Sequence, residues 1–347
     1  MKRFLALFFI AMLSISCKKE YQPRTIADIH IDTYAKDSSS IRAIKAISKD
    51  SMVYADSNGN ISKTKDGGKT WETWKIVYND SITPHFRSIA VVNDTVFALS
   101  VANPALLYKV YNNTTRLVYK EEDPKVFYDA MHFFPDGKSA IAVGDPTEDC
   151  PSIIVTSDGG NTWCKVACKE LPRFEEGEAF FAASNTNIKV LEDTVWIVSG
   201  GKKARVLKSL DKGKTWEVYD TPIVQGNGPQ GIYSIDFYDE LNGIVIGGDY
   251  SNPEANKANK AITKDGGKTW TIVADNQEPG YKSCVQYIPG TEGKEVIAVG
   301  KTGISFSNDG GVHWKKISDE SFYTIQFVDK YMAWLAGHEK VGKLILN

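Results

Sequence analysis

The octapeptide TKDGGKTW occupies positions 64–71 and returns unchanged at positions 263–270. Three looser copies share its pattern [ST]-x-D-x-G-x-x-W: TSDGGNTW at 156–163, SLDKGKTW at 209–216 and SNDGGVHW at 307–314. Its Gly-Lys-Thr is not a phosphate-binding loop, because that motif needs a glycine five residues earlier, where Lys63 and Ile262 stand. The pattern instead predicts a hairpin turn: Asp accepts backbone N–H groups, Gly adopts a left-handed conformation, and Trp covers the base.

The spacing of these turns predicts the architecture. Their Asp residues stand at 66, 158, 211, 265 and 309, at intervals of 92, 53, 54 and 44. Units of ~40–50 residues are typical of one four-stranded sheet each. A second pattern of a variable, a small and an apolar residue fills the double interval and gives seven units, which start at Arg42, Arg87, Asp129, Glu178, Tyr233, Ser283 and Tyr323. The chain is therefore predicted to be all-β, a seven-bladed β-propeller.

The two ends of the chain are expected to meet in one blade. The last unit, 321–347, has room for only three strands. The segment TIADIHI at 25–31 can supply the fourth, so that an N-terminal strand closes the ring. We accordingly expect residues 24–347 to form one propeller domain.

The repeated turn resembles the Asp-box, or BNR, repeat of sialidases and many other propellers. Longer segments, among them FYDAMHFFPDGKSAIAVGDP at 127–146 and GIYSIDFYDELNGIVIGGDY at 231–250, resemble bacterial proteins related to the photosystem II stability/assembly factor. That resemblance implies a seven-bladed propeller that acts as an assembly factor or binding platform. Many bacterial members are labelled oxidoreductases, but this chain has neither a dinucleotide-binding fingerprint nor a Cys-x-x-Cys pair, so no cofactor is predicted.

The first stretch, MKRFLALFFIAMLSISCKKE, combines two basic residues, an apolar run and small residues before Cys17. Residues 1–16 are predicted to be a secretory signal peptide. The sequence Ser-Ile-Ser-Cys at 14–17 resembles a bacterial lipobox, which implies a lipid on Cys17 and a tether over residues 17–23. We expect a lipid-anchored protein of the bacterial cell envelope, facing the periplasm or the exterior; a conventional secreted protein is the alternative.

Export permits disulfides, and four cysteines follow Cys17 in the sequence. Folding the hairpin around Gly159 and Gly160 places Cys150 opposite Cys168 or Lys169. A disulfide between Cys150 and Cys168 is therefore predicted. The loop GDPTEDC at 144–150 could hold a hard cation, but it lacks the EF-hand spacing, and no metal site is predicted.

Ligand sites of propellers usually lie around the axis, on the face opposite the repeated turns. Recognition is expected to involve the starts of inner strands and the loops that follow recurring glycines. The predicted binding residues are Arg42, Arg87, Asp129, Asp145, Glu178, Tyr233 and Asp249, with Lys202, Tyr250, Lys301 and His338 around them. The arginines could bind a carboxylate or phosphate with two hydrogen bonds. Alternatively, these groups could simply line a water-filled channel.

Charge and motifs separate three classes of function. Charged residues make up 24% of the chain and the net charge is −2, which argues against nucleic acid as a partner. A sialidase-like glycosidase would need an arginine cluster, a Tyr–Glu nucleophile pair and an acidic residue. Tyr233, Glu178 and Asp129 could supply the last two requirements, and Arg42 and Arg87 could belong to the cluster, but a third arginine is not evident. The expected Phe/Tyr-Arg-Ile-Pro stretch is absent. The favoured hypothesis is a monomeric, non-catalytic platform for a protein partner or a small anionic ligand.

Overall fold

The computed structural model describes residues 21–26 and 29–346. Within these residues, seven antiparallel four-stranded blades are arranged so that their inner strands pack in a closed ring. The prediction of an all-β seven-bladed propeller is confirmed. The one helical segment of the described residues is a short 3-10 turn at Cys168–Glu170.

In blades 2 to 6 the order of the strands in the chain is their order from the axis outwards. Blade 4 is interrupted by the short strand Gly200–Gly201, which pairs with Gly231 of blade 5. Blade 2 contains Phe86–Val92, Thr95–Ser100, Ala105–Tyr111 and Thr114–Glu121, and blade 3 contains Tyr128–Phe133, Ala140–Gly144, Ser152–Thr156 and Cys164–Lys165. Blade 4 contains Ile188–Leu191, Thr194–Val198, Arg205–Ser209 and Glu217–Asp220. Blade 5 contains Gln230–Phe237, Gly243–Asp249, Lys260–Thr263 and Thr271–Ile272, and blade 6 contains Cys284–Tyr287, Val296–Gly300, Gly303–Ser307 and Lys315–Ser318.

Blades 1 and 7 share the long strand Ile29–Ala46. Its first part, from Ile29 to Ala35, pairs with the strand His338–Leu346 and is the outer strand of blade 7. Its last part is the inner strand of blade 1. The other strands are Met52–Asp56, Asn60–Thr64 and Glu72–Lys75 in blade 1, and Thr324–Asp329 and Met332–Ala336 in blade 7. The N-terminal strand therefore closes the last blade, as predicted.

Small side chains occupy the second position of the inner-strand sequence pattern in six blades, where the blades crowd around the axis. They are fully buried: Ala43, Ser88, Ala130, Ser234, Cys284 and Thr324. Larger apolar side chains of neighbouring blades pack together farther from the axis in separate clusters. Burial between blades, rather than within a single sheet, therefore forms the core.

The predicted start of the fourth unit is wrong. Glu178 and Ala179 form a two-residue strand that pairs with Gly200 and Gly201. The inner strand of blade 4 begins only at Ile188. The intervening residues 180–187, which we call the plug, leave the blade and cross the axial channel. The pattern Glu178-Ala179-Phe180 matched the other units by composition but lies before this excursion.

The repeated turns are closed by hydrogen bonds around the Asp. In the first turn, the Thr64 hydroxyl donates to Asp66 Oδ1 at 2.9 Å and accepts the Gly68 N–H at 3.0 Å. The Thr70 N–H and hydroxyl donate to the same carboxylate at 2.9 and 2.6 Å. The Trp71 indole N–H donates to the Gly68 carbonyl at 2.9 Å. The polar groups around the Asp are therefore bonded within the turn, and the turn serves the fold.

The same carboxylate-centred bonds recur in the other four turns, at 156–163, 209–216, 263–270 and 307–314. The second glycine of the turn also permits close packing. At Gly160 φ is +77°, and a Cβ there would lie 2.4 Å from the Phe97 ring. A side chain at this position would therefore push two blades apart.

Successive turns alternate between the two faces of the propeller. The Asp-box turns lie beside the loops that join inner to second strands, since Gly67 N donates to Asp50 O at 2.9 Å and Gly310 N to Lys294 O at 2.7 Å. We call this side the box face. The opposite side, where inner strands begin and Lys301 and Tyr250 lie, is the mouth face.

Candidate functional site

The mouth face opens into a cavity of about 470 Å³ on the axis. Arginine, acidic and aromatic side chains surround it, and the plug forms its floor. Its lining residues are Arg42, Arg87, Phe127, Asp145, Ala179, Phe180, Phe181, Ala182, Ala183, Gly228, Tyr233, Tyr250, Tyr281, Ser283, Lys301 and Tyr323. The structure thus brings together Arg42, Arg87, Asp145 and Tyr233 from the predicted set.

The plug is fixed to several blades by its polar side chains. Asn185 accepts the Met131 N–H at 3.0 Å and donates to the Ile89 carbonyl at 2.9 Å. Ser184 donates to the Ser283 carbonyl at 2.6 Å, on the other side of the axis. Because these partners belong to blades 2, 3 and 6, the plug separates the mouth from the lower part of the channel.

Arg42 starts the inner strand of blade 1 and points over the floor. Its guanidinium donates to the Ala183 carbonyl at 3.2 Å and lies 3.9 Å from the centre of the Tyr323 ring. Its Nε–H is buried and has no hydrogen-bond acceptor among the described residues. No Asp or Glu oxygen of the described residues lies within ion-pair distance of it. Arg42 is thus a positioned cation with unused donors.

Arg87 holds the equivalent position in blade 2. It donates to the Ala182 carbonyl at 3.3 Å and to His85 Nε2 at 3.3 Å. Burial and the charge of Arg42 lower the pKa of Arg87 to about 10. Burial and both arginine charges lower the pKa of His85 to about 4, so that imidazole is neutral near pH 7. A neighbouring anion would therefore relieve repulsion between two cations.

Two carboxyl groups of blade 3 lie near the arginines. Asp129 is fully buried, and neither of its oxygens has a hydrogen-bond partner among the described residues. Burial, followed by the Asp145 charge, raises the pKa of Asp129 well above its ordinary value. Asp145 accepts the Phe180 N–H at 2.7 Å, and burial raises its pKa to about 6. The pair therefore neutralises the arginines only partly at pH 7.

Aromatic rings form one wall of the mouth. Phe181 of the plug stacks on Tyr233 with ring centres 3.9 Å apart, and Tyr281 contacts Tyr233 edge-on at 4.8 Å. Tyr250 lies 6.4 Å from Tyr233 and is exposed at the rim. Such a wall suits apolar or planar groups beside a carboxylate.

Tyr233 and Glu178 do not form the pair expected of a sialidase. The Tyr233 hydroxyl donates to the Pro229 carbonyl at 2.8 Å, and burial raises the pKa of Tyr233. Glu178 is buried in an ion pair with Arg205, at 2.5 Å, and accepts the Ser199 hydroxyl at 2.6 Å. Glu178 stabilises the short strand pair before the plug instead of facing the mouth.

Asp249 lies at the mouth face but outside the cavity. Its carboxylate accepts the N–H groups of Ser251 and Asn252 at 2.8 and 3.3 Å, and that of the Gln230 side-chain amide at 3.3 Å. It caps the loop that carries Tyr250. Its effect on the mouth is therefore through the position of this loop.

The cysteines fall into two groups. Cys150 and Cys168 form a disulfide, with Cα atoms 5.7 Å apart, while Cys164 is an exposed thiol and Cys284 a buried one. Cys17, the predicted lipidation residue, lies outside the described residues.

Neither a metal cluster nor a membrane-spanning helix occurs within residues 21–26 and 29–346. No group of three or more His, Cys, Asp or Glu side chains there could hold a metal ion. No helix in this part of the chain has the length and apolar character to span a bilayer.

Sequence reasoning missed the plug and the aromatic wall. The plug sequence FFAASNTN at 180–187 has no strand periodicity, and its small polar residues read as an ordinary loop. Tyr281 and Phe127 precede inner strands in positions that the repeat alignment did not cover. Tyr233 and Tyr323 were the available signal for the aromatic wall, because they begin the inner-strand pattern of their blades at the position that Arg42 and Arg87 hold in blades 1 and 2.

Comparisons with known proteins support the fold. No protein-family model matches the chain, and no curated protein is similar to it in sequence. Two solved structures of YCF48 align with a TM-score of 0.65 each. The one described as bound to D1 peptide is 16% identical and covers 93% of this chain and 100% of its own. The one from Cyanidioschyzon merolae is 15% identical, with coverages of 91% and 98%. A streptogramin B lyase structure aligns with a TM-score of 0.66 and 14% identity, and the alignment covers 92% of this chain and 98% of the lyase chain.

Proposed function

We propose that this chain is a lipid-anchored, non-catalytic binding propeller of the bacterial cell envelope, whose axial mouth binds an acidic segment of a protein partner. The observation that carries the proposal is the pair Arg42 and Arg87. Both are held by plug carbonyls and neither has a carboxylate within ion-pair distance among the described residues. Two partly buried cations with free N–H donors are an anion-binding arrangement.

A protein segment fits the mouth better than a small free anion. The cavity of about 470 Å³ is walled by Phe181, Tyr250 and Tyr281, which could pack apolar side chains next to an acidic one. The similarity to a YCF48 structure bound to a peptide agrees with this class of ligand. A small anionic ligand is the second candidate, favoured by the same arginines alone.

Non-catalytic binding is favoured over hydrolysis by the state of the candidate nucleophile. Burial raises the pKa of Tyr233, and its hydroxyl is engaged by a backbone carbonyl. Activation would require an adjacent general base that accepts the phenol proton. Glu178, the expected base, is occupied by Arg205.

Binding is tested with two fluorescent ten-residue peptides that alternate Glu with Leu or Phe, or Gln with the same residues. The account predicts that the Glu peptide binds and the Gln peptide does not. Arg42→Gln/Arg87→Gln should weaken binding of the Glu peptide by at least ~10-fold, because charge-assisted hydrogen bonds contribute ~1.5–3 kcal/mol each.

Lys65→Gln/Lys69→Gln, on the box face, is the control for general charge. If this control weakened binding of the Glu peptide as much as the arginine variant does, the attraction would be nonspecific and the proposal would be contradicted. Binding of free succinate with the affinity of the peptide would favour the small-ligand candidate. Turnover of a fluorogenic sialoside that Tyr233→Phe abolishes would refute the non-catalytic assignment.

The membrane anchor rests on the lipobox-like residues 14–17. Mass spectrometry of the protein from bacterial membranes should find residues 1–16 removed and a diacylglyceryl group on Cys17. An unmodified Cys17 thiol, or a retained leader, would refute the anchor and leave the binding proposal intact.

A further inference from the structure

The chain enters the propeller on the box face, at the boundary of blades 6 and 7. Arg24 donates two hydrogen bonds to the buried Glu295 carboxylate, from Nε at 2.9 Å and from the guanidinium nitrogen Nη2 at 2.5 Å. The Tyr21 hydroxyl donates to the other oxygen of Glu295 at 2.5 Å, and Lys294 binds the Tyr21 carbonyl at 3.0 Å. Asn308, inside an Asp-box turn, donates to the Arg24 carbonyl at 3.2 Å.

We call these contacts of Tyr21 and Arg24 with Glu295 the clamp. The clamp limits how far a chain anchored at Cys17 can stand from a bilayer. Four peptide units separate Cys17 from Tyr21, which at full extension span ~14 Å. Six residues of extended strand and loop lead from Glu295, at the clamp, to Lys301 at the mouth, a distance of ~20 Å. A lipid on Cys17 therefore cannot reach a membrane that touches the mouth face while the clamp is closed.

The exposed apolar side chains are distributed unequally between the faces. Of the ten large hydrophobic residues exposed among the described residues, seven lie in turns of the box face: Ile47, Tyr111, Leu210, Tyr238, Leu241, Val312 and Tyr331. Val77, Ile82 and Tyr250 lie on the mouth side or in a link between blades. Aliphatic and tyrosine side chains at loop tips are those that enter the headgroup region of a bilayer.

We infer that the box face is a membrane-contact surface, which holds the propeller against the lipid headgroups and points the mouth away from the bilayer. The inference rests on the proposed lipid anchor. The occupant of the surface is a phospholipid bilayer, because the clamped tether and the apolar tips share this face. Acidic and basic residues are interspersed on it, so contact depends on the apolar tips rather than on net charge. The mouth then stays open to a partner.

The orientation is measured with the lipidated mature protein in vesicles of phosphatidylethanolamine and phosphatidylglycerol that carry nitroxide-labelled headgroups. Bimane is attached to single cysteines in a Cys164→Ser background, which removes the exposed thiol. Leu210→Cys and Leu241→Cys report on the box face, where these side chains are 61% and 57% exposed. Val77→Cys and Tyr250→Cys, at 46% and 48%, are matched controls for the other side.

Quenching at positions 210 and 241 is expected to exceed quenching at 77 and 250 several-fold. Arg24→Gln, which loosens the clamp and leaves the Tyr21 bond to Glu295, should reduce this difference. Equal quenching at all four positions, or stronger quenching at 250, in protein that floats with the vesicles overturns the inference. Protein that does not float with the vesicles instead refutes the anchor, and the inference with it, while peptide binding at the mouth is unaffected.

Discussion

Replacing Asn185 with Leu should release the plug from the blades. The change removes the acceptor for the Met131 N–H and the donor to the Ile89 carbonyl, and Asn185 is 6% exposed. Each buried backbone group left without a partner costs ~1–3 kcal/mol. Asn185 also has φ of 62°, where Leu costs a further ~1 kcal/mol. We expect a total loss of roughly 3–7 kcal/mol in the free energy of unfolding.

Urea denaturation followed by tryptophan fluorescence measures this loss, and hydrogen exchange of residues 182–186 shows whether the plug opens alone. Asn113→Leu is the matched control, since Asn113 has φ of 59° in an exposed turn and should cost only ~1 kcal/mol. In Asn185→Gly the glycine adopts the positive φ without strain, so the loss in unfolding free energy reports the missing hydrogen bonds alone. Affinity for the Glu peptide should fall as well, because plug carbonyls hold both arginines.

Equal unfolding free energies for Asn185→Leu and Asn113→Leu, with unchanged hydrogen exchange within the plug, would refute this role of Asn185. The plug would then be held by something other than this amide.

Three further predictions concern pH and covalent structure. Burial raises the pKa of Asp145 to about 6, so its negative charge appears above that pH and opposes a bound anion. The Glu peptide should therefore bind ~3-fold more tightly at pH 5.5 than at pH 7.5. Asp145→Asn should flatten this pH profile in anisotropy titrations. Hydrogen bonds from Thr70 lower the pKa of Asp66 to about 2, below its unfolded value of ~3.9. The ionised Asp66 therefore stabilises the folded state fully above pH 4, and this contribution is lost as the pH falls towards 2. Asp66→Asn should make acid unfolding between pH 4 and pH 2, followed by circular dichroism, less steep. The disulfide between Cys150 and Cys168 closes a loop across 18 residues, so Cys150→Ser/Cys168→Ser should lower the free energy of unfolding in urea by ~3 kcal/mol. The control Cys164→Ser, at an exposed thiol, should change it by less than ~0.5 kcal/mol.

The repeated parts of the fold could be predicted because each copy carries its own local interactions. The bonds around the Asp carboxylate of an Asp-box turn form within eight residues, from Thr64 to Trp71, so a short pattern contains the partners that shape the turn. Closure by the strand from Ile29 to Ala35 followed from the missing strand of the last unit.

The plug could not be predicted, because its partners are distant in sequence. Asn185 binds Ile89, across 96 residues, and no local pattern marks the pairing. The same reason explains the error at Glu178, whose true partner Arg205 lies in another strand. Strand propensity and the period of the sequence repeat describe a blade, but they do not describe a segment that leaves the blade.

The most direct test of the binding proposal is a crosslinking measurement in living cells. Benzoylphenylalanine is introduced at position 250, on the mouth rim, or at position 210, on the box face, and irradiated cells are analysed by mass spectrometry. The account predicts one stoichiometric protein joined to position 250 through an acidic segment, and its loss in Arg42→Gln/Arg87→Gln. Equal crosslinks from both positions, or crosslinks at 250 that survive removal of both arginines, would contradict it.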